Sequence, residues 1–227
     1  MWLIYMKNKM KNKFDIFEKR DGKHFKVVIF GSSRVKAYDD TYKTVKHLAS
    51  LLGERGIDVV TGGGPGLMQA ANEGHKLGAK EARKRSHSIG IGVELLWKQK
   101  FNKSVQYRKE FNKFSQRLDE FMLLSNAIVV APGGLGTMLE LFYTWQLVQV
   151  KNICDIPIIL MGEKWQGLLK WIKKEPLRKG YISKKDYDLV FCVKTPHQAI
   201  EIIEDSYKHF KNGGKNFCLN YKKYKVK

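Results

Sequence analysis

The chain has 227 residues, 43% hydrophobic and 12% aromatic, enough to bury a sizeable core in one α/β domain with extensions. No apolar stretch approaches a bilayer span, and the opening MWLIYMKNKMKNK has too short an apolar patch, with no basic region ahead of it, for a secretory signal; the cytoplasm is the expected compartment and no membrane partner is expected. A net charge of +20 invites a nucleic-acid reading, but lysine far outnumbers arginine, the charge is scattered or gathered at Lys7 to Lys26 and Lys208 to Lys227, and no RNP-type aromatic motif or zinc finger goes with it. A solvated basic surface is expected, and no nucleic-acid partner.

From Lys26 onward strands and amphipathic helices alternate. KVVIFG is a short β-branched run ending in glycine, and TYKTVKHLASLLGERG places Val45, Leu48, Leu51 and Leu52 at the spacing of one helical face. DVVTGGGPG reads as a second strand ending in a turn, GLMQAANEGHKLGA as a helix, and SIGIGVEL as a third strand. A helix is expected from about Glu110 to Ser125, then a fourth strand at AIVVAPGG and the helix TMLELFYTWQLVQV. IPIILMG is the fifth strand, followed by a helix around WQGLLKWIKK, and DLVFCV is the sixth. The last helix, TPHQAIEIIEDSYKHF, opens with Thr195 as N-cap and Pro196 at its first position.

Continuous apolar strands alternating with helices imply a doubly wound, mainly parallel sheet with helices on both faces, a single Rossmann-like domain. The domain is expected over residues 26–210, with a basic N-terminal arm at 1–25, on which Trp2, Phe14 and Phe17 can dock, and a basic C-terminal tail at 211–227. Cys154, Cys192 and Cys218 are odd in number and show no CxxC spacing, so neither a disulfide framework nor a zinc site is expected. His75 and His87 have no metal-like partners in the sequence and are read as surface residues; no metal is expected.

In such sheets ligands bind beyond the carboxyl ends of the strands, where the strand order reverses. For the order 3-2-1-4-5-6, the neighbouring ends carry TGGGPG (61–66), GSSR (31–34) and PGGLGT (132–137), which converge on one crevice. Glycine lets the backbone approach a phosphate, and the free N–H groups of a following helix add donors and a favourable dipole. The candidate nucleotide-binding residues are therefore Gly31, Ser32, Ser33, Arg34, Gly63, Gly64, Gly66, Met68, Gly133, Gly134, Gly136 and Thr137. Each turn alone is equally well a tight strand-to-helix connection, and Met68 equally well a core residue. GGLGT is not a Walker loop, and GGGPG is not the dinucleotide fingerprint, because Pro65 interrupts it and the basic KEARKRSHS stands where an acidic residue is needed.

GGGPGLMQAANEG (62–74) with PGGLGTMLE (132–140), preceded by FGSSR (30–34), resembles the LOG (Lonely Guy) family of cytokinin-activating phosphoribohydrolases over roughly residues 26–205. The resemblance implies a dimeric Rossmann-like enzyme, without a cofactor, that hydrolyses the N-glycosidic bond of a nucleoside 5′-monophosphate such as AMP or an N6-substituted AMP, giving free base and ribose 5-phosphate. It further implies catalytic roles for Glu140, in PGGxGTxxE, and Arg117, in FSQRLDEF. Leu118 stands where the family often has lysine after the arginine, and Leu139 where it often has a first glutamate, so base preference is less determined than reaction class.

From the residues themselves, a carboxylate near the sugar can stabilise an oxocarbenium-like transition state and orient water. Thr137 to Glu140 is, however, also the T-x-x-E spacing of a capping box, and Arg117 is also placed to pair with Glu120 or Asp119 on its own helix. Glu94 ends the third strand, at the crevice or in solvent. Phe142, Trp145 and Leu147 beside Leu141 and Val148 exceed what one sheet face requires, so a two-fold subunit interface is expected there. The alternative to an enzyme is a carrier or sensor of a nucleotide or phosphorylated cofactor on the same fold. Lysine decarboxylation, a label many family members carry, needs a pyridoxal phosphate Schiff-base lysine that nothing here marks.

Overall fold

The β-branched run after Phe25 forms β1 (Lys26–Phe30), every residue of it buried, as a strand covered on both faces must be. The computed structural model describes residues 24–94 and 100–212. Helix α1 (Asp40–Glu54) starts where the Asp39 carboxylate accepts a hydrogen bond of 2.7 Å from the Thr41 N–H, and it buries Val45, Leu48, Ala49 and Leu52 along one face. Strand β2 (Asp58–Thr61), helix α2 (Leu67–Glu81) and strand β3 (Ser88–Val93) follow. Helices α1 and α2 touch backbone to backbone: a Cβ on Gly74 would lie 1.9 Å from the Lys46 carbonyl oxygen, and one on Gly78 2.1 Å from that of Ser50.

The next element corrects the expected helix from Glu110. Tyr107–Phe111 is a strand, β4, and helix α3 begins only at Phe114 (Phe114–Leu124). Tyr107, Lys109 and Phe111 are half-buried while Arg108 and Glu110 are exposed, the alternation of an edge strand. Three charged residues in YRKEF mask that pattern, and only pairing with β3 supplies what the sequence leaves unspecified.

β5 (Ala127–Val130), α4 (Leu135–Gln149), β6 (Ile158–Met161) and α5 (Gln166–Ile172) fall where expected, as do β7 (Val190–Val193) and α7 (Pro196–Lys211); the short α6 (Lys184–Tyr187) between α5 and β7 was not expected. Thr195 caps α7 in a reciprocal box with Gln198, and Pro196 takes the first position.

The strands form a seven-stranded, wholly parallel sheet in the order β4-β3-β2-β1-β5-β6-β7. Apart from the added edge strand β4 this is the expected order, reversing direction between β1 and β5. Alternate strand residues feed two cores. Val27, Ile29 and Val59 meet α1, α2 and α7 on one face, while Val28, Phe30 and Val60 meet α3, α4 and α5 on the other. The doubly wound architecture follows.

Phe25, at the end of the expected N-terminal arm, is buried against Tyr207 and Phe210 of α7. Most of both expected arms, with Trp2, Phe14 and Phe17, lies outside the described residues. His75 and His87 are not surface residues: they are 1% and 6% exposed, because the third turn of α2 and the residue before β3 pack at the sheet's amino-terminal pole. Cys192 is a free, exposed thiol and Cys154 is disulfide-bonded, which the cysteine spacing did not suggest. No helix among the described residues is long and apolar enough to cross a membrane.

Candidate active site

Where the strand order reverses, the carboxyl ends of β3, β2, β1 and β5 enclose a cavity of about 900 Å³. Its walls include Gly31, Ser32, Ser33 and Arg34 after β1, Gly63, Gly64 and Met68 after β2, Gly134, Gly136, Thr137 and Glu140 on α4, and Arg117 on α3. Three turns distant in sequence thus meet. The Ser32 N–H donates to the Pro132 carbonyl at 3.1 Å, and the Leu67 N–H donates to the Ser32 carbonyl at 2.9 Å, so the turns are tied to one another.

Gly66 and Gly133 are not on the cavity wall, and their glycine identity answers to packing. Gly66 has φ +67°, and a Cβ there would lie 2.4 Å from the Ser32 carbonyl oxygen. A Cβ on Gly133 would lie 2.1 Å from Thr137 Oγ1.

Gly134 and Gly136 are different. Nothing lies within 4 Å of a Cβ built on either, and neither has positive φ. Gly136 is in the first turn of α4, where alanine would favour the helix by about 0.5–1 kcal/mol. Space and backbone both tolerate a side chain there, so packing does not account for these two glycines. Gly134 is the N-cap and offers no capping side chain, so the first N–H groups of α4 remain directed at the cavity.

The turn after β2 is held by a buried polar network. The Thr61 hydroxyl accepts from the Gly63 N–H at 2.9 Å and donates to Asn72 Oδ1 at 2.8 Å, while Asn72 Nδ2 donates to the Ser88 hydroxyl at 2.8 Å. Asn102 Nδ2 donates to the carbonyls of Gly63 and Gly64, each at 3.0 Å, and to Asn72 Oδ1 at 2.9 Å.

Glu140 and Arg117 face each other inside the cavity, Glu140 Oε1 lying 3.6 Å from Arg117 Nη2 with each side chain 12% exposed. The capping-box alternative fails, because α4 starts at Leu135 and Thr137 is already inside its first turn. The same-helix pairing of Arg117 fails too: Glu120 accepts from Lys109 at 2.9 Å and Asp119 accepts from the Tyr143 hydroxyl at 2.5 Å. Arg117 instead donates Nε–H to the Ile91 carbonyl at 2.9 Å and stacks over Phe121, 5.0 Å from the ring centroid. It also passes so close to Gly62 that a Cβ there would lie 2.5 Å from Nη2, a requirement the glycine run did not announce.

Burial pushes the Glu140 carboxyl up to about 7, with the Arg117 charge holding it back. Burial likewise lowers the Arg117 guanidinium, with Glu140 opposing. A carboxyl that titrates near neutrality beside an anion cradle is a group able to change its protonation state during a reaction.

Glu94 is exposed, outside the cavity wall. Lys100, Phe101, Glu110 and Phe114 line the cavity and escaped the sequence reading, because they lie on and around the strand that was not expected. Lys100 is the lysine among the described lining residues, and it is exposed.

His24, Asp58 and His87 bring three ligand atoms within 4.8 Å of one another, His87 Nδ1 lying 3.1 Å from Asp58 Oδ1. They stand at the amino ends of the strands, the pole opposite the cavity, and take no part in it. There the two imidazoles help hold the buried Asp58 carboxyl below its usual range, although burial opposes them.

Comparison with known proteins places this geometry. Pyrimidine/purine nucleotide 5′-monophosphate nucleosidase of Escherichia coli (strain K12) is 29% identical over 142 residues, covering 61% of this chain and 31% of the relative, so the chain spans about a third of that protein's length. A probable cytokinin riboside 5′-monophosphate phosphoribohydrolase of Oryza sativa subsp. japonica is 29% identical over 184 residues, covering 78% of this chain and 71% of the relative. Among solved structures, the molybdenum cofactor binding protein of Rippkaea orientalis superposes with a TM-score of 0.60 at 19% identity, covering 80% of this chain and 96% of that one, a likeness of fold. The family model described as possible lysine decarboxylase matches residues 68–203, more than half of the 227 residues and the span that carries both Arg117 and Glu140. The chain belongs to that family, the LOG family.

Proposed function

We propose that the chain is a nucleoside 5′-monophosphate phosphoribohydrolase, cleaving AMP or an N6-substituted AMP into free base and ribose 5-phosphate with water as cosubstrate. The observation that carries this is the buried Arg117–Glu140 pair, set one turn beyond the open N-terminus of α4. The names of the E. coli and rice relatives support the same reaction class.

The phosphate is held by the N–H groups of the first turn of α4, with the Thr137, Ser32 and Ser33 hydroxyls and Arg34 around it. That placement carries the ribose toward Glu140. As the C1′–N bond lengthens, positive charge develops on the sugar, and the Glu140 carboxylate stabilises it and orients the water. The water oxygen bonds to C1′ and keeps one proton as the new hydroxyl of ribose 5-phosphate, the C1′–N bond electrons leave with the base, and the water's other proton ends on the base nitrogen. Arg117 keeps Glu140 ionised and orients the sugar through paired hydrogen bonds.

The proposal includes a two-fold dimer and a cytoplasmic setting. Of the residues expected at an interface, Leu141, Trp145 and Val148 are buried in the core, Leu147 is half-buried and Phe142 is exposed, so the exposed apolar stripe is Leu135, Leu139 and Phe142 of α4 with Val150 at its C-cap, 84%, 47%, 42% and 56% exposed, and its first member borders the cavity. A second copy is the partner suited to it.

Incubation of the purified protein with AMP, GMP, CMP, UMP and N6-isopentenyl-AMP, following base and ribose 5-phosphate by chromatography, tests the reaction. Wild type is expected to release base and Glu140→Gln to lose about 10²- to 10⁴-fold in rate. Tight AMP binding without turnover of any monophosphate would leave a carrier or sensor in place of the enzyme.

A further inference from the structure

Strand β3 reads Ser-Ile-Gly-Ile-Gly-Val, and its alternation puts Gly90 and Gly92 on one face. Neither has positive φ, so the backbone does not require glycine at either position. What requires it is the ring of Phe101. A Cβ would lie 2.9 Å from that ring at Gly90, 2.7 Å at Gly92 and 2.3 Å at Gly63. Two glycines of β3 are thus cleared for one aromatic side chain, which also lies over Gly63, a residue whose φ of +72° favours glycine on its own account.

The ring is fixed by the residue that follows it. Asn102 donates its backbone N–H to the Gly63 carbonyl at 2.8 Å and its side-chain amide to Gly63, Gly64 and Asn72. Phe101 is half-buried, and the part not seated on glycine lines the cavity.

Its position in the row of strands gives it a role. The helix N-terminus suited to phosphate follows β5, the serines follow β1, Gly62–Gly64 follow β2, and Phe101 lies over the ends of β2 and β3. Neighbouring strands are about 4.8 Å apart, so from β5 to β3 the cavity spans about 14 Å, the reach of a nucleoside monophosphate laid across the strand ends. Arg117 is bonded to the carbonyl of Ile91, between Gly90 and Gly92, so the group that faces the sugar borders the seat of the ring. Phosphate on α4 and sugar at the Arg117–Glu140 pair leave the base pointing toward Phe101.

We propose that Phe101 is the base-stacking wall of the cavity and a specificity-determining residue, favouring two-ring purine bases over one-ring pyrimidines. This rests on the nucleoside-monophosphate reading. A larger π-face gives more overlap with the ring, and base–aromatic stacking is worth about 5- to 150-fold in affinity.

Binding of AMP, CMP and ribose 5-phosphate is measured by calorimetry on the full chain, in a Glu140→Gln background so that ligands persist. Phe101→Ala is compared with Phe101→Trp and with Phe101→Leu, which keeps apolar bulk on the three glycines. AMP affinity is expected to fall at least about 5-fold in the alanine and leucine variants and to be kept by tryptophan. CMP is expected to lose less, and ribose 5-phosphate to be unchanged within about 2-fold. Equal weakening of all three ligands would make Phe101 a mere support of the glycine turns and overturn the proposal, as would AMP binding indifferent to residue 101. A parent protein that binds ribose 5-phosphate and AMP not at all would remove the nucleotide reading itself, and the stacking wall with it.

Discussion

Replacing Arg117 by methionine takes away the cation facing Glu140 while keeping a long side chain over Phe121. The two charged groups are 3.6 Å apart. At an effective dielectric constant of about 20, their attraction is about 4–5 kcal/mol, which sets a ceiling of roughly three pH units on the shift of the carboxyl. Burial already places Glu140 at about 7 with Arg117 present, so the variant's carboxyl moves higher. The sign is unambiguous: the carboxylate then exists only in more alkaline solution. At pH 7 the ionised fraction falls well below one half, and kcat/KM falls with it, by at most the roughly 10³-fold that the ceiling allows, before any loss of substrate contacts. The assay is release of base from AMP between pH 5.5 and 10, read as kcat/KM because that quantity reports the free enzyme. The nucleotide phosphate contributes its own limb near pH 6, common to every variant. The ascending limb near pH 7 in wild type is expected to move upward in Arg117→Met, so that part of the lost activity returns in more alkaline solution. An unmoved limb with uniformly lower activity would refute the idea that Arg117 works by holding Glu140 ionised.

Gly136→Ala is expected to leave the melting temperature unchanged or slightly raised, since nothing lies within 4 Å of the new Cβ, yet to weaken AMP and ribose 5-phosphate binding at least about 10-fold by obstructing the anion; calorimetry beside a thermal melt separates the two effects. His75 has its imidazole pushed down to about 4 by burial, its Nε2 lying 3.0 Å from the Ile57 carbonyl. The unfolded chain therefore binds the proton more readily, and this contribution to stability, complete well above pH 6.5, is lost as pH falls toward 4, amounting to about 2 kcal/mol at pH 5. Urea midpoints at pH 7.5 and 5 are expected to converge in His75→Gln, and an unaltered difference would move the acid sensitivity elsewhere.

Much of this protein is determined by local chemistry legible in one dimension. Continuous apolar runs such as Val27 to Phe30 and Ile128 to Val130 have to be buried on both faces, and amphipathic helices between them leave the doubly wound parallel sheet as the solution. That topology by itself brings the glycine turns after β1, β2 and β5 to one place, which is why most of the cavity wall could be named from spacing. Tertiary structure decided the rest, because the deciding contacts join residues far apart in the chain. YRKEF becomes a strand only by pairing with β3, His75 and His87 are buried only because their ends face the sheet, and Gly90 and Gly92 acquire a reason only when Phe101 is laid on them. The cap reading of Glu140 is of the same kind: the sequence allows it, and the helix starting at Leu135 removes it, while Arg117 arriving from α3 puts a charge beside the carboxyl. Periodicity and turn chemistry are properties of neighbours along the chain, whereas a desolvated charge pair is a property of neighbours in space.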